Sequence, residues 1–264
     1  MQNWQKRTAL LIGEDGVGRL ERARVAILGL GGVGSAAAEA LCRAGVGHLL
    51  LIDHDTVDET NLNRQLVATR PVIGMPKTQA ALLRLRAIRP DGDFMPAEQF
   101  YLPDNSTFLF EWQPDYVIDA IDTVTAKLHL AGACAAHGVP LLMCLGTGNR
   151  LDPSALRAGD IADTAGCGCG LARVMRRELR RRGIGRQAVV FSTEEPSKSV
   201  CPSEHGRHAP GSIAFVPPAA NGSCITSAPI MTAWLVPQGF VRSAGQVKPS
   251  GRLSKAWNTS SQGI

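Results

Sequence analysis

No apolar run in the 264 residues approaches the roughly 20 that a membrane-spanning helix needs, and the first residues lack the apolar core of a secretory signal. Those two absences predict a soluble, cytoplasmic protein with no membrane partner. The seven cysteines, Cys42, Cys134, Cys144, Cys167, Cys169, Cys201 and Cys224, are odd in number, and no two of them have CxxC spacing. A disulfide scaffold is therefore not expected, and Cys167, Cys169, Cys201 and Cys224 are poorly spaced for zinc. Strong charge is missing too. A net charge of +5 does not by itself single out a nucleic-acid partner. What remains is a chain with 44% hydrophobic residues, long enough for one large domain or one domain with an extension.

One stretch, Arg24 to Asp55, organises the rest. Arg24-Val25-Ala26-Ile27-Leu28 is a short apolar run of the kind buried in a parallel sheet, and Gly29-Leu30-Gly31-Gly32-Val33-Gly34 follows it directly. An alanine-rich helix begins near Gly32 and ends at Gly45. In that setting Gly29, Gly31, Gly32 and Gly34 let the backbone turn tightly and approach a phosphate, whose charge the helix N-terminus stabilises. The next strand, His48 to Ile52, delivers Asp53 about 20 residues past the last motif glycine, where a carboxylate can bind ribose hydroxyls. This specifies a nucleotide without specifying which.

Around that unit the spacing predicts a short N-terminal helical arm ending at Gly13, and a polar loop TNLNRQ carrying Asn61, Asn63, Arg64 and Gln65. A helix with Pro76 in its first position runs to Pro90, which places Lys77 in its first turn. A cation there opposes the helix dipole and calls for an anionic partner, a role a phosphate would fill. A strand near Phe94, a helix from Asp104 to Trp112, a strand Tyr116 to Asp119, a helix Val124 to His137 and a strand Val139 to Leu145 continue the alternation. The expected fold is α/β, a Rossmann-like, doubly wound, mainly parallel sheet with a C-terminal extension. Asp122, just past one strand end, is a natural Mg²⁺ ligand beside phosphates. Beyond Gly146 the sequence predicts an amphipathic basic helix, Leu171 to Arg182, strands at Val189 to Phe191 and Ile213 to Pro217 with a polar loop between them, and a disordered tail.

The motifs GLGGVGS, LIDHDTVDETNLNRQ, GMPK and VIDAIDT, in this order, resemble the ThiF/MoeB/HesA superfamily of ubiquitin-activating-type adenylyltransferases. The resemblance implies an ATP site in which Gly29, Gly31, Gly32 and Gly34 face the phosphates and Asp53 takes the ribose. Asn61, Arg64 and Lys77 hold the triphosphate, Asp55 and Gln65 complete the set, and Asp122 binds Mg²⁺. It also implies a homodimer in which Arg7 reaches the ATP of the partner subunit.

Within that superfamily, GNRLDP, DIADT, LARVMRRELRRRGI, VVFSTEEP and GSIAFVPPAA resemble the branch of tRNA threonylcarbamoyladenosine dehydratases. The implied activity is ATP-dependent cyclisation of threonylcarbamoyladenosine next to the tRNA anticodon through a carboxyl-adenylate. The implied partners are tRNA, along Arg173, Arg176, Arg177, Arg180 and Arg181, and a sulfur-relay protein. Three other readings stand beside it: an adenylyltransferase acting on the C-terminal glycine of a sulfur-carrier protein, an NAD-dependent oxidoreductase, and a non-catalytic tRNA-binding protein. The expected organisation is an arm (1–21), an ATP-binding unit (22–145), a substrate and tRNA region (146–236) and a tail (237–264). Pro229 and Pro237 stand where relatives carry an apolar helix, which proline would break.

Overall fold

A computed structural model describes residues 2–197. The expected strand Ile213 to Pro217, the proline-interrupted segment, the tail, most of the polar loop after Thr193, and Cys201 and Cys224 lie outside these residues. Seven strands form one sheet: β1 (Arg24–Leu28), β2 (His48–Asp53), β3 (Asp93–Glu98), β4 (Tyr116–Asp119), β5 (Leu141–Cys144), β6 (Leu156–Asp160) and β7 (Ala188–Ser192). Their order is β3-β2-β1-β4-β5-β7-β6, parallel except where the edge strand β6 runs against β7. The order reverses direction at β1. That reversal opens a crevice at the carboxyl ends of β1 and β4, the position where sheets of this kind bind ligands.

Among the described residues six α-helices cover the sheet: α1 (Lys6–Arg22), α2 (Gly32–Ala44), α3 (Lys77–Ile88), α4 (Thr107–Glu111), α5 (Val124–His137) and α6 (Gly170–Arg181). Side chains alternate along each strand, so Val25, Ile27, Leu49 and Leu51 pack under α1, α2 and α3. Ala26, Leu28, Leu50 and Val117 pack under α5 and α6 on the other face. Burial on both faces explains why β1, β2, β4 and β5 read as continuous apolar runs and not as alternating ones. Each fully buried Leu or Ile of these strands contributes roughly 1.5–3 kcal/mol of transfer free energy. Gly45, at φ 106°, ends α2 with its N–H on the carbonyls of Leu41 and Cys42.

Three local expectations need correction, and one strand is additional to them. Gly13 does not end the first helix: at φ 75° and ψ 167° it interrupts it, and the helix resumes to Arg22 because Gly16, Val17 and Leu20 are buried against the sheet. Pro76 precedes α3 as its cap instead of occupying its first turn. The helix expected from Asp104 is split into a 3-10 turn (Pro103–Asn105) and the short α4, since Asn105 turns its amide to Leu102 N and Phe100 O. The strand β6 has no counterpart in the sequence pattern. Only Leu156 in it is buried, and an edge strand with one solvated side carries little apolar signal.

Among the described residues no helix is long and apolar enough to cross a membrane. Cys42, Cys134, Cys144 and Cys167 are buried thiols and Cys169 is half-buried. Burial pushes Cys42 up to about 11 and Cys134 and Cys144 up to about 12, which leaves these three unreactive near neutral pH.

Candidate active site

A cavity of about 370 Å³ lies at the carboxyl edge where the strand order reverses. Its floor is the glycine turn. Gly29, at φ 87°, donates its N–H to Ile52 O at 2.8 Å, tying the end of β1 to the end of β2. A Cβ on Gly29 would lie 2.7 Å from Ala120 O, and one on Gly34 would lie 1.7 Å from Gly29 O, so both positions exclude any side chain. Gly31 differs. A Cβ there would meet only Gln65 Nε2, at 3.9 Å, so its bare backbone is not demanded by packing. Gly29, Gly31 and Gly32 line the cavity, while Gly34 sits behind them in the first turn of α2. No side chain caps α2, so the free N–H groups of its first turn are left for an anion.

Asp53, at the end of β2, is buried. Its Oδ2 accepts the Leu30 N–H at 2.6 Å and its Oδ1 accepts the Asp55 N–H at 2.9 Å, which fixes the carboxylate at the cavity wall. Lys77, 6% exposed, reaches across to Asp55 at 2.6 Å. Burial opposes ionisation of Asp55, but the Lys77 hydrogen bond and charge, with His54, outweigh it and hold the carboxyl below its ordinary value. Lys77 therefore has the anionic partner that its place in the first turn requires, and a phosphate would compete for it.

Asn61 is buried and accepts the Asp58 N–H at 3.1 Å through Oδ1. Arg64 is half-buried, its guanidinium held at 2.9 Å by Thr60 O and by Asn63 Oδ1. The buried Gln65 Oε1 has no hydrogen-bond partner, an orphaned polar group that a bound ligand can satisfy. Asp122 is exposed on the β4 side of the same cavity, and Asp53, His54 and Asp55 bring potential ligand atoms within 4.8 Å of one another. Asp122, an exposed carboxylate on the cavity wall, is the donor type that holds a divalent cation together with phosphates.

Arg7 does not line this cavity. It is exposed on α1, two residues from Gln5, whose Nε2 would lie 3.5 Å from a Cβ on Gly45, ahead of β2 and thus at the opposite edge of the sheet. The arginines of α6 also lie elsewhere and are not equivalent. Arg173 and Arg180 are exposed with no ion pair among the described residues, Arg177 and Arg181 pair with Glu178, and Arg176 turns inward to Thr164 Oγ1 at 2.8 Å.

Sequence reasoning missed two groups. Gln99, Phe100 and Tyr101 line the cavity beyond β3, with the Phe100 ring 4.4 Å from that of His54. An exact end for β3 would have pointed to them, since residues after a parallel strand face the ligand edge. The second group is the fully buried pair of Lys127 and Asp119, 2.9 Å apart. The one lysine within the mostly apolar helix VTAKLHLAG is its signal.

The glycine turn and the cavity lie at the switch point of a doubly wound sheet, the place where sheets of this class bind nucleotide phosphates. The chain belongs to the ThiF family, whose sequence model matches residues 5–173. It is 41% identical over 191 residues to a tRNA threonylcarbamoyladenosine dehydratase of Bacillus subtilis, covering 72% of this chain and 74% of that one. A dehydratase of the same name from Escherichia coli is 39% identical over 164 residues, 61% of each chain. The structure of an Escherichia coli tRNA N6-threonylcarbamoyladenosine dehydratase in complex with ATP superposes with a TM-score of 0.73 at 32% identity, covering 90% of this chain and 99% of that one.

Proposed function

We propose that the chain catalyses ATP-dependent dehydration of threonylcarbamoyladenosine in tRNA, next to the anticodon, through a carboxyl-adenylate. One observation carries this reading: Gly31 and Gly32, Asp53, Asn61, Arg64 and Gln65, Lys77 and Asp122, drawn from five separate segments, line one cavity. The likeness to dehydratases, one of them bound to ATP, supplies the substrate.

The substrate carboxylate is a poor electrophile, and adenylation makes it a mixed anhydride while pyrophosphate leaves. Gly31, Gly32 and the first turn of α2 receive phosphate oxygens, and Asp53, already oriented by two N–H groups, holds the ribose. Lys77, released from Asp55, together with Arg64, Asn61 and the Nε2 amide of Gln65, grips the leaving phosphates through charge-assisted hydrogen bonds. Asp122 would hold Mg²⁺, which when bound offsets phosphate charge. The tethered carbamoyl amide then attacks the activated carbonyl and AMP leaves, so the ring closes with the net loss of water. Tethering supplies much of the rate, and no cysteine nucleophile is required.

Two further features belong to this reading. The protein acts as a homodimer in which Arg7 of one subunit completes the other subunit's cavity. Its remoteness from its own cavity and the nearly full exposure of Leu10 and Leu11, at 89% and 86%, support this. The free arginines of α6 lie along tRNA phosphates. The region from Gly146, including β6, β7 and α6, would serve substrate and tRNA, and the unit before it would serve ATP.

ATP–pyrophosphate exchange tests the reading. Exchange stimulated by tRNA carrying threonylcarbamoyladenosine is expected; exchange stimulated only by a ubiquitin-like carrier would select the sulfur-carrier activity instead.

A further inference from the structure

Lys127 Nζ lies 2.9 Å from Asp119 Oδ1 and 2.7 Å from Cys144 O, and both charged side chains are 0% exposed. The ammonium therefore joins the carboxyl ends of β4 and β5 from within the first turns of α5. Nothing in the folding of an apolar layer calls for this. A buried ion pair carries a large desolvation cost, a cation near a helix N-terminus opposes the dipole, and apolar residues of the same volume would fill the space as well. Burial pushes the Asp119 carboxyl up, against the pull of Lys127 and of the Ile121 N–H.

The pair does have a second connection. Asp119 Oδ1 also accepts the Ile121 N–H at 3.2 Å, so a single oxygen links the ammonium to the backbone of the segment 120–123. That segment packs directly on the glycine turn: a Cβ on Gly29 would lie 2.7 Å from Ala120 O and 3.1 Å from Ile121 N, and one on Gly34 would lie 3.3 Å from Ala120 Cβ. It also lines the cavity, with Asp122 and Thr123.

We propose that Lys127 and Asp119 are positioning residues of the nucleotide site: their pairing holds segment 120–123 against Gly29 and thereby sets both the glycine turn and Asp122. The inference rests on the nucleotide reading above. Neither residue touches the ligand. The pair acts through the backbone between β4 and α5, where a shift would move two walls of the cavity together.

The test compares the parent chain with the double variant Lys127→Met/Asp119→Asn, which removes both charges at nearly constant volume, and with Ala120→Gly, which loosens the segment and leaves both charges in place. ATP affinity by calorimetry, hydrogen exchange of the amides of residues 120–123, turnover and melting temperature are measured on each. Both variants are expected to melt near the parent, to bind ATP at least tenfold more weakly, and to exchange those amides faster. Parental ATP affinity and exchange in the double variant, or in Ala120→Gly should the double variant not fold, would overturn the positioning role alone. A parent chain that binds no ATP would overturn the nucleotide reading and this proposal with it.

Discussion

Lys77 Nζ and Asp55 Oδ2 stand 2.6 Å apart at the cavity wall, the lysine side chain 8% exposed and the aspartate 51%. The ammonium is thus stored on an exposed carboxylate from which a phosphate can take it. Removing it with Lys77→Met should weaken ATP binding about tenfold or more, the scale of one lost charge-assisted hydrogen bond of roughly 1.5–3 kcal/mol. Titration calorimetry with ATP checks this, and unchanged affinity would leave the lysine as a structural partner of Asp55 only.

The same pair predicts an acid dependence. Asp55 is held below its ordinary value of 3.8, so its contribution to stability is present above that pH and is lost as pH falls through the lowered folded-state value. Asp55→Asn should flatten melting temperature against pH in that acid window and leave the curve near neutrality parallel to the parent. Half the carboxylate is in solvent, so the effect is small. A parallel curve throughout would contradict the coupling.

The glycines separate shape from binding. Gly34→Ala puts a methyl 1.7 Å from Gly29 O and should destabilise the fold by at least about 1–3 kcal/mol, the usual scale of overpacking. Gly31→Ala meets nothing closer than 3.9 Å and should melt like the parent while losing ATP affinity, because the methyl occupies the path of a phosphate. Equal stability of the two variants by thermal melting would refute the contrast.

Much of this arrangement is legible in the sequence, for a local reason. A strand, a glycine turn, a helix and a strand follow one another within 32 residues, so period and turn chemistry place Gly31 and Asp53 without tertiary information. Lys77 is legible because its conflict with the helix dipole is local too. Lys127 is legible only in part: a lysine in a mostly apolar helix stands out, but its partner lies eight residues earlier on another element, and its complete burial is a property of the assembled layers. Phe100 escaped because strand ends are set by pairing with neighbours. Arg176, in a run of like residues, cannot be told from Arg173 until Thr164 is placed beside it.

That difference among the arginines can be measured. Arg173→Gln/Arg180→Gln should weaken tRNA binding alike for all sequences and lower the slope of log affinity against log salt by about 0.7–0.9 per lost phosphate contact. Arg176→Gln should instead lower the melting temperature, since it breaks a half-buried hydrogen bond. An unchanged salt slope in the first variant would detach α6 from tRNA.

Arg7 offers a test of assembly. Arg7→Ala and Asp122→Ala should each be nearly inactive alone, and mixing them should restore part of the activity, because one of the two cavities in a mixed dimer is then intact. No recovery after demonstrated subunit exchange would exclude action across the interface.

The most direct measurement is mass spectrometry of nucleosides from tRNA bearing threonylcarbamoyladenosine, incubated with this chain with and without ATP. A product lighter by one water, formed only with ATP and lost in Asp122→Ala, is the predicted result. Unchanged threonylcarbamoyladenosine beside a chain that binds ATP normally would contradict it.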